Sequence, residues 1–213
     1  MGNPLVEFAL FAFVSIFTMV NPVGVIPVYT AMTSGMEGRA ARRVAVRAVL
    51  TALFILLVFA LTGHFIFQFF GISVNSLRVV GGVIFFIMGY ELLQARLTRT
   101  QYDDETIHEY ITDVSITPLG IPVICGPGAI ASVIILMDQA ASLAESAVVI
   151  GSIVLILSLT LALLLGANQV MKFIGENGNK VMMRLMGLIV MVIAVEFFFS
   201  GLRPILREIL KIG

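Results

Sequence analysis

The chain has 213 residues, of which 59% are hydrophobic and only 12% charged, and its formal net charge is zero. A water-soluble domain carries about 25% charged residues, so a mean hydropathy of +1.06 excludes a soluble globular domain. The charge balance argues against a nucleic-acid partner. What is left is one compact, all-α integral membrane bundle. The single cysteine, Cys125, rules out a disulfide within the chain. Only Glu7 is charged before the first apolar run, so no cleaved secretory leader is expected.

A membrane-crossing helix needs about 20 mostly apolar residues, and six segments qualify. The first, 5–32, contains Asn21-Pro22-Val23-Gly24-Val25-Ile26-Pro27. The second and third cover 44–70 and 77–95. A polar stretch from Arg96 to Glu109, with Asp103, Asp104 and Glu105 together, reads as a connector outside the bilayer. The fourth segment, 112–137, contains Ile121-Pro122-Val123-Ile124-Cys125-Gly126-Pro127-Gly128. The fifth and sixth cover 145–173 and 182–202. All six are apolar throughout, without the alternation of a barrel strand. With the N-terminus outside, nine Lys and Arg residues fall on the inner side, including Arg39, Arg42, Arg43 and Arg47. Four (Arg78, Arg203, Arg207 and Lys211) fall outside, so both termini are expected there, in a cell membrane.

The two halves read as copies. The prolines of Pro22-x4-Pro27 and Pro122-x4-Pro127 are displaced by the same 100 positions. Gly82 and Glu91 recur as Gly187 and Glu196 at a shift of 105, which longer connecting loops absorb. Residues 1–100 form the first three-span repeat, 101–111 the connector and 112–213 the second repeat. An odd number of spans makes the second copy enter from the opposite side, so the repeats are inverted.

A proline inside a helix removes a hydrogen bond and clashes with the preceding turn, at roughly 3 kcal/mol. Two matched breaks in membrane-grade helices are therefore the pointer to a binding site. Pro27 and Pro127 suit the first position of a new half-helix, and Gly126 and Gly128 ease the turn. Each half-helix N-terminus would expose N–H groups to a carboxylate, and the freed carbonyls would hold an ammonium. Thr18, Asn21, Gly24, Thr117 and Gly120 supply small or hydrogen-bonding groups, with no charged side chain in either break. That combination predicts a small, neutral zwitterion. Asn21 is either a ligand or a cap on the broken backbone, and Pro118 adds a bend. Glu91, Glu196 and His64 are ionisable residues on apolar segments, hence candidates for gating or proton coupling, with interfacial or packing roles as the alternative. Phe197-Phe198-Phe199 read as lipid-facing or packing groups. Gly81, Gly82, Gly89 and Gly187 read as sites of close helix contact.

On NPVGVIPVY and PLGIPVICGPGAI, with six spans over nearly its whole length, the chain resembles the MarC family of bacterial and archaeal membrane proteins, including SnatA-type small neutral amino acid transporters. The resemblance implies a 3+3 inverted-repeat fold with broken first and fourth helices and transport of glycine, alanine or similar amino acids. It carries over to Asn21, Pro22, Gly24 and Pro27, and to Pro118, Pro122, Gly126, Pro127 and Gly128. Some family members are named for multiple antibiotic resistance, but nothing here reads as a drug-sized aromatic pocket. An enzyme is not expected: there is no GxSG, and His108-Glu109 does not continue as HExxH. The sequence thus predicts a secondary active transporter, with a proton as first coupling ion and sodium as second, and no cofactor. An exporter or channel-like pore of the same class is the rival.

Overall fold

The computed structural model describes residues 3–33, 36–94 and 115–211, with all side chains in them except those of 115–118, 168–177 and 179–180. Every described element is helical. They are α1 (Pro4–Val20), α2 (Pro22–Met32), α3 (Gly38–Phe70), α4 (Val74–Leu93), a π-helical segment (Ser115–Ile124), α5 (Pro127–Gln139) and α6 (Leu143–Leu210). Five stretches are long and apolar enough to cross a membrane: α1 with α2, α3, α4, and Leu143–Ala167 and Val181–Leu210 within α6. Helix α5 has only 13 residues, about 20 Å at 1.5 Å each, short of a hydrocarbon core of about 30 Å. The expected connector from Arg96 to Glu109 lies outside the described residues.

Local sequence explains the boundaries. Asn3 caps α1 through Oδ1, which accepts from the Leu5 N–H at 3.1 Å, and Pro4 opens the helix, where its missing N–H is harmless. Gly71 ends α3 in the left-handed conformation, at φ 63°. Ser73 starts α4 by accepting from the Ser76 N–H at 3.0 Å. At the start of α6, Ser142 Oγ accepts from the Glu145 N–H at 3.2 Å, while Glu145 Oε2 accepts from the Ala141 N–H at 2.6 Å. That arrangement is a variant of the capping box, with Glu145 reaching the residue before the cap rather than the cap itself, and it moves the helix start ahead of the expected residue 145.

Helix α3 also starts earlier than expected, at Gly38 rather than 44. Its Arg39, Arg42, Arg43 and Arg47 are exposed, while Ala41, Ala45, Ala48 and Ala52 are buried on the other face. The amphipathic pattern carries the helix beyond the apolar run. Further along, Phe54 and Phe65 are 69% and 70% exposed, and Leu50 and Leu61 lie open on the same side. A stripe of alanines inside and large apolar groups outside inverts the soluble-protein rule and fits lipid as the solvent. The buried Tyr29 hydroxyl donates to the Ala41 carbonyl at 3.0 Å, binding α2 to α3.

Two separate helices were expected over 145–173 and 182–202; instead helical backbone runs from Leu143 to Leu210. A straight helix of 68 residues would reach about 100 Å. Yet Gln139, just before α6, lines a pocket with Ser73 and Val74, and Gly201 packs on the Asn75 carbonyl. Both ends of the stretch therefore meet the same α3–α4 corner, so the chain doubles back between Ala167 and Val181. The return span lies antiparallel to α4. Gly82 faces Ala194 and Phe198, and Gly89 faces Gly187 and Met191. As expected, these glycines permit close approach: a methyl at Gly187 would stand 2.6 Å from the Leu93 nitrogen.

Because that obstacle is backbone, Gly187→Val should destabilise the fold by about 1–3 kcal/mol. Gly151 and Gly166 have nothing within 4 Å, so alanine there should be neutral or stabilising by up to about 1 kcal/mol. Thermal melting of the three detergent-purified variants measures the contrast; equal melting points would refute the close α4–α6 contact.

Candidate functional site

The first break is a single residue. Asn21 sits between α1 and α2 with φ 47° and ψ 63°, the left-handed region that asparagine tolerates better than most residues. Its N–H donates to the Phe17 carbonyl at 2.9 Å and closes α1. Its Oδ1 accepts from the Gly24 N–H at 3.2 Å and its own carbonyl from the Val25 N–H at 3.2 Å, opening α2. Gly24 is required because a Cβ there would overlap the Asn21 amide. The new half-helix begins at Pro22, not at the expected Pro27, which lies inside α2. A left-handed asparagine with a built-in cap makes Asn21 the cheaper place to interrupt the chain.

This geometry redistributes the polar groups. Pro22 has no N–H, and the Gly24 and Val25 N–H groups are already taken. Most of the expected anion-binding capacity of this terminus is therefore spent. The carbonyls of Thr18, Met19 and Val20, by contrast, accept no hydrogen bond among the described residues. The Asn21 Nδ2 has no partner among them either. Thr18 donates its hydroxyl hydrogen to the Val14 carbonyl at 2.7 Å, which leaves Oγ1 free to accept.

The second break has the opposite character. The π-helical segment closes with the Cys125 N–H donating to the Gly120 carbonyl at 2.9 Å, five residues back. Pro122 lies within this segment, and Pro127 opens α5 at its first turn as expected. Gly126 has no side chain to cap α5, so the buried Gly128 and Ala129 N–H groups have no partner among the described residues. Gly126 has an ordinary extended backbone, φ −79°; glycine is needed there because a Cβ would meet the Phe85 ring. Gly120 is buried, and the side chains of Thr117 and Pro118 lie outside those described.

The two breaks adjoin. A Cβ on Gly128 would lie 3.1 Å from Met19 Sδ, two residues before Asn21. Between them is a cavity of about 110 Å³ lined by Thr18, Asn21 and Gly24 from the first break, Val123 from the second, Phe85 from α4, and Val190 and Ile193 from α6. A cavity of roughly 150 Å³ accepts benzene, so this one suits a smaller molecule. No charged side chain lines it.

A model of MarC family integral membrane proteins matches residues 6–206. The chain belongs to the MarC family. Similar family relatives include a UPF0056 membrane protein of Methanocaldococcus jannaschii, 33% identical over 92% of this chain and 97% of its own length. UPF0056 membrane protein YvbG of Bacillus subtilis is 34% identical, covering 92% and 95%. A counterpart in Pyrococcus abyssi is 34% identical, covering 90% and 92%. No solved structure matches the chain.

The ionisable candidates of this MarC-family protein do not converge on the cavity. Glu91 and Glu196 are both exposed. Antiparallel packing sets them at different heights, Glu91 near the Gly89–Gly187 contact and Glu196 near Gly82. His64 instead pairs with Asp138, Nδ1 to Oδ1 at 3.3 Å, tying α3 to α5. Both side chains are more than half exposed, so the pair contributes about 0–1 kcal/mol. It borders a pocket of about 430 Å³ that also includes Gln68, Ser73 and Gln139. Sequence reasoning missed Asp138, although an acid directly beyond the fourth apolar run was a visible signal. It also missed Met19, Phe85, Val190 and Ile193, apolar residues that no pattern separates from their neighbours.

Asn21→Ala loses both the cap, about 1 kcal/mol, and left-handed tolerance, about 1–2 kcal/mol. Asn21→Gly keeps the backbone and should cost only a few tenths of a kcal/mol. Chemical denaturation in detergent should rank parent, Asn21→Gly and Asn21→Ala in that order. Equal stability of the two variants would contradict the left-handed cap.

Proposed function

We propose that this MarC-family protein is a secondary active transporter of small neutral amino acids, glycine and alanine first, working by alternating access. One observation carries the assignment. Freed carbonyls at the first break line a cavity of about 110 Å³, and the freed N–H groups at the second stand next to Met19 in its wall. Each unpaired buried group costs about 1–3 kcal/mol, and such backbone is tolerated at membrane depth only in protein or beside a watery cavity. A zwitterion satisfies both sets together. Its ammonium is held by the Thr18, Met19 and Val20 carbonyls and Thr18 Oγ1. Its carboxylate is held by the Gly128 and Ala129 N–H groups and Asn21 Nδ2. Val190 and Ile193 leave room for a hydrogen or methyl side chain, and the lack of a charged wall selects against acidic and basic amino acids.

Several features support a six-span inverted repeat. Gly82 and Gly187 match in the two halves and both lie in the α4–α6 contact. One break supplies acceptors and the other donors, side by side. The arginines that open α3 favour a cytoplasmic position for that end, with both termini outside. None of Glu91, Glu196 and His64 lines the cavity, so a proton, the first coupling ion considered, would act by changing a gate. Sodium is the alternative, with the carbonyl cluster as its site.

Purified protein in proteoliposomes should show saturable, counterflow-competent uptake of labelled glycine and alanine, driven by an imposed proton gradient and less by sodium. Losing one hydrogen bond to a charged group removes about 1.5–3 kcal/mol, so Asn21→Gly should raise KM roughly 10–100-fold. Gly128→Val, crowding the free N–H groups, should abolish uptake while the protein still reaches the membrane. Parent-like glycine uptake by both variants would place the site elsewhere, and unitary currents without counterflow would replace the transporter by a channel.

A further inference from the structure

Phe85 on α4 reaches both breaks at once. Its ring lines the cavity beside Asn21 and Gly24, and its outer edge occupies the space a Cβ on Gly126 would take. Behind it stands Phe197 from α6, with ring centroids 6.5 Å apart. The Phe197 ring lies 3.0 Å from where a Cβ on Gly81 would be and 3.5 Å from one on Gly128. Three glycines on two elements thus form a socket for two aromatic rings. Cys125, next to Gly126, is fully buried, and neither Gly128 nor Ala129 lines the cavity.

We infer that Phe85 is a movable partition between the cavity and the free amide groups of α5, and that it sets the largest side chain the site accepts. The ring bears no charge and makes no hydrogen bond, so only packing holds it. An aromatic pair of this kind contributes about 0.5–1.5 kcal/mol beyond its buried area, which a bound carboxylate on two amide donors outweighs. With the ring in place, a substrate meets the carbonyls and Asn21 but not the α5 N–H groups. With the ring displaced, both half-sites join. The partition rests on packing, in which Phe85 covers Gly126 and Met19 in the cavity wall covers Gly128, whereas the size limit rests on the transport reading above.

Cys125 is the chain's only cysteine, so its labelling reports on the partition without reference to any substrate. In proteoliposomes, a small water-soluble methanethiosulfonate should label Phe85→Ala at least about tenfold faster than the parent, following thiol exposure. Phe86→Ala, the adjacent residue on the outer α4–α6 groove with Phe198 and Phe199, should label like the parent. Equal rates in parent and Phe85→Ala, or equal acceleration by Phe86→Ala, overturn the partition. For the size limit, the ratio of labelled leucine to alanine uptake should rise roughly 10–100-fold in Phe85→Ala and by an intermediate factor in Phe85→Leu. An unchanged ratio overturns it. If the parent takes up none of these amino acids, the transport reading falls, and labelling still decides the partition.

Discussion

A peptide group without a hydrogen-bond partner is poorly tolerated in hydrocarbon, and that constraint governs this molecule. It turns every described element into a helix and makes any interruption an exception that must be answered locally. Asn21 answers the first by lending its own side chain and carbonyl to α2. The second is left open on the α5 side, where a glycine precedes Pro127 and provides no cap. The unequal treatment of the two breaks leaves acceptors in the cavity wall and donors outside its lining.

Placing two such breaks side by side requires the spans to approach closely, and small residues make that geometry available. Alanines line the inner face of α3. Glycines let α4 and the return span of α6 meet almost backbone to backbone. In lipid there is little hydrophobic gain from bringing helices together, so van der Waals contact over such faces is a principal source of cohesion. The large side chains are displaced outward, where Phe54, Phe65 and Phe69 face the bilayer.

Much of the architecture was legible because the signals are coarse. Apolar runs longer than about 18 residues mark spans, and prolines within them mark breaks. The exact point of each break was not legible. Pro27 and Pro127 look equivalent in sequence, but only Pro127 opens a half-helix, since Asn21 interrupts the chain five residues earlier than symmetry with Pro127 suggests. The continuous backbone of α6 was missed because residues near 173–182 are polar enough to read as a loop, while helix formation satisfies that backbone equally well. The walls of the cavity were hidden for a different reason: Phe85 and Val190 are apolar residues in apolar spans, and only three-dimensional packing distinguishes them. Phe197 was read with its neighbours as lipid-facing or packing, and it packs against Gly81 and Gly128.

The tie between Tyr29 and Ala41 has a mechanical corollary. With four residues between the cap at Thr33 and Gly38, the Tyr29 bond ties the α2–α3 corner, while α2 packs mainly on α6, and α3 on the π-helical segment, α5 and α6. Asn21 is the one residue between α1 and α2. Since α3 has 33 residues, or about 50 Å, it runs from the Tyr29 corner across to the opposite side of the bundle. One buried bond thereby connects the backbone that follows the first interruption to a helix long enough to reach the far side of the membrane.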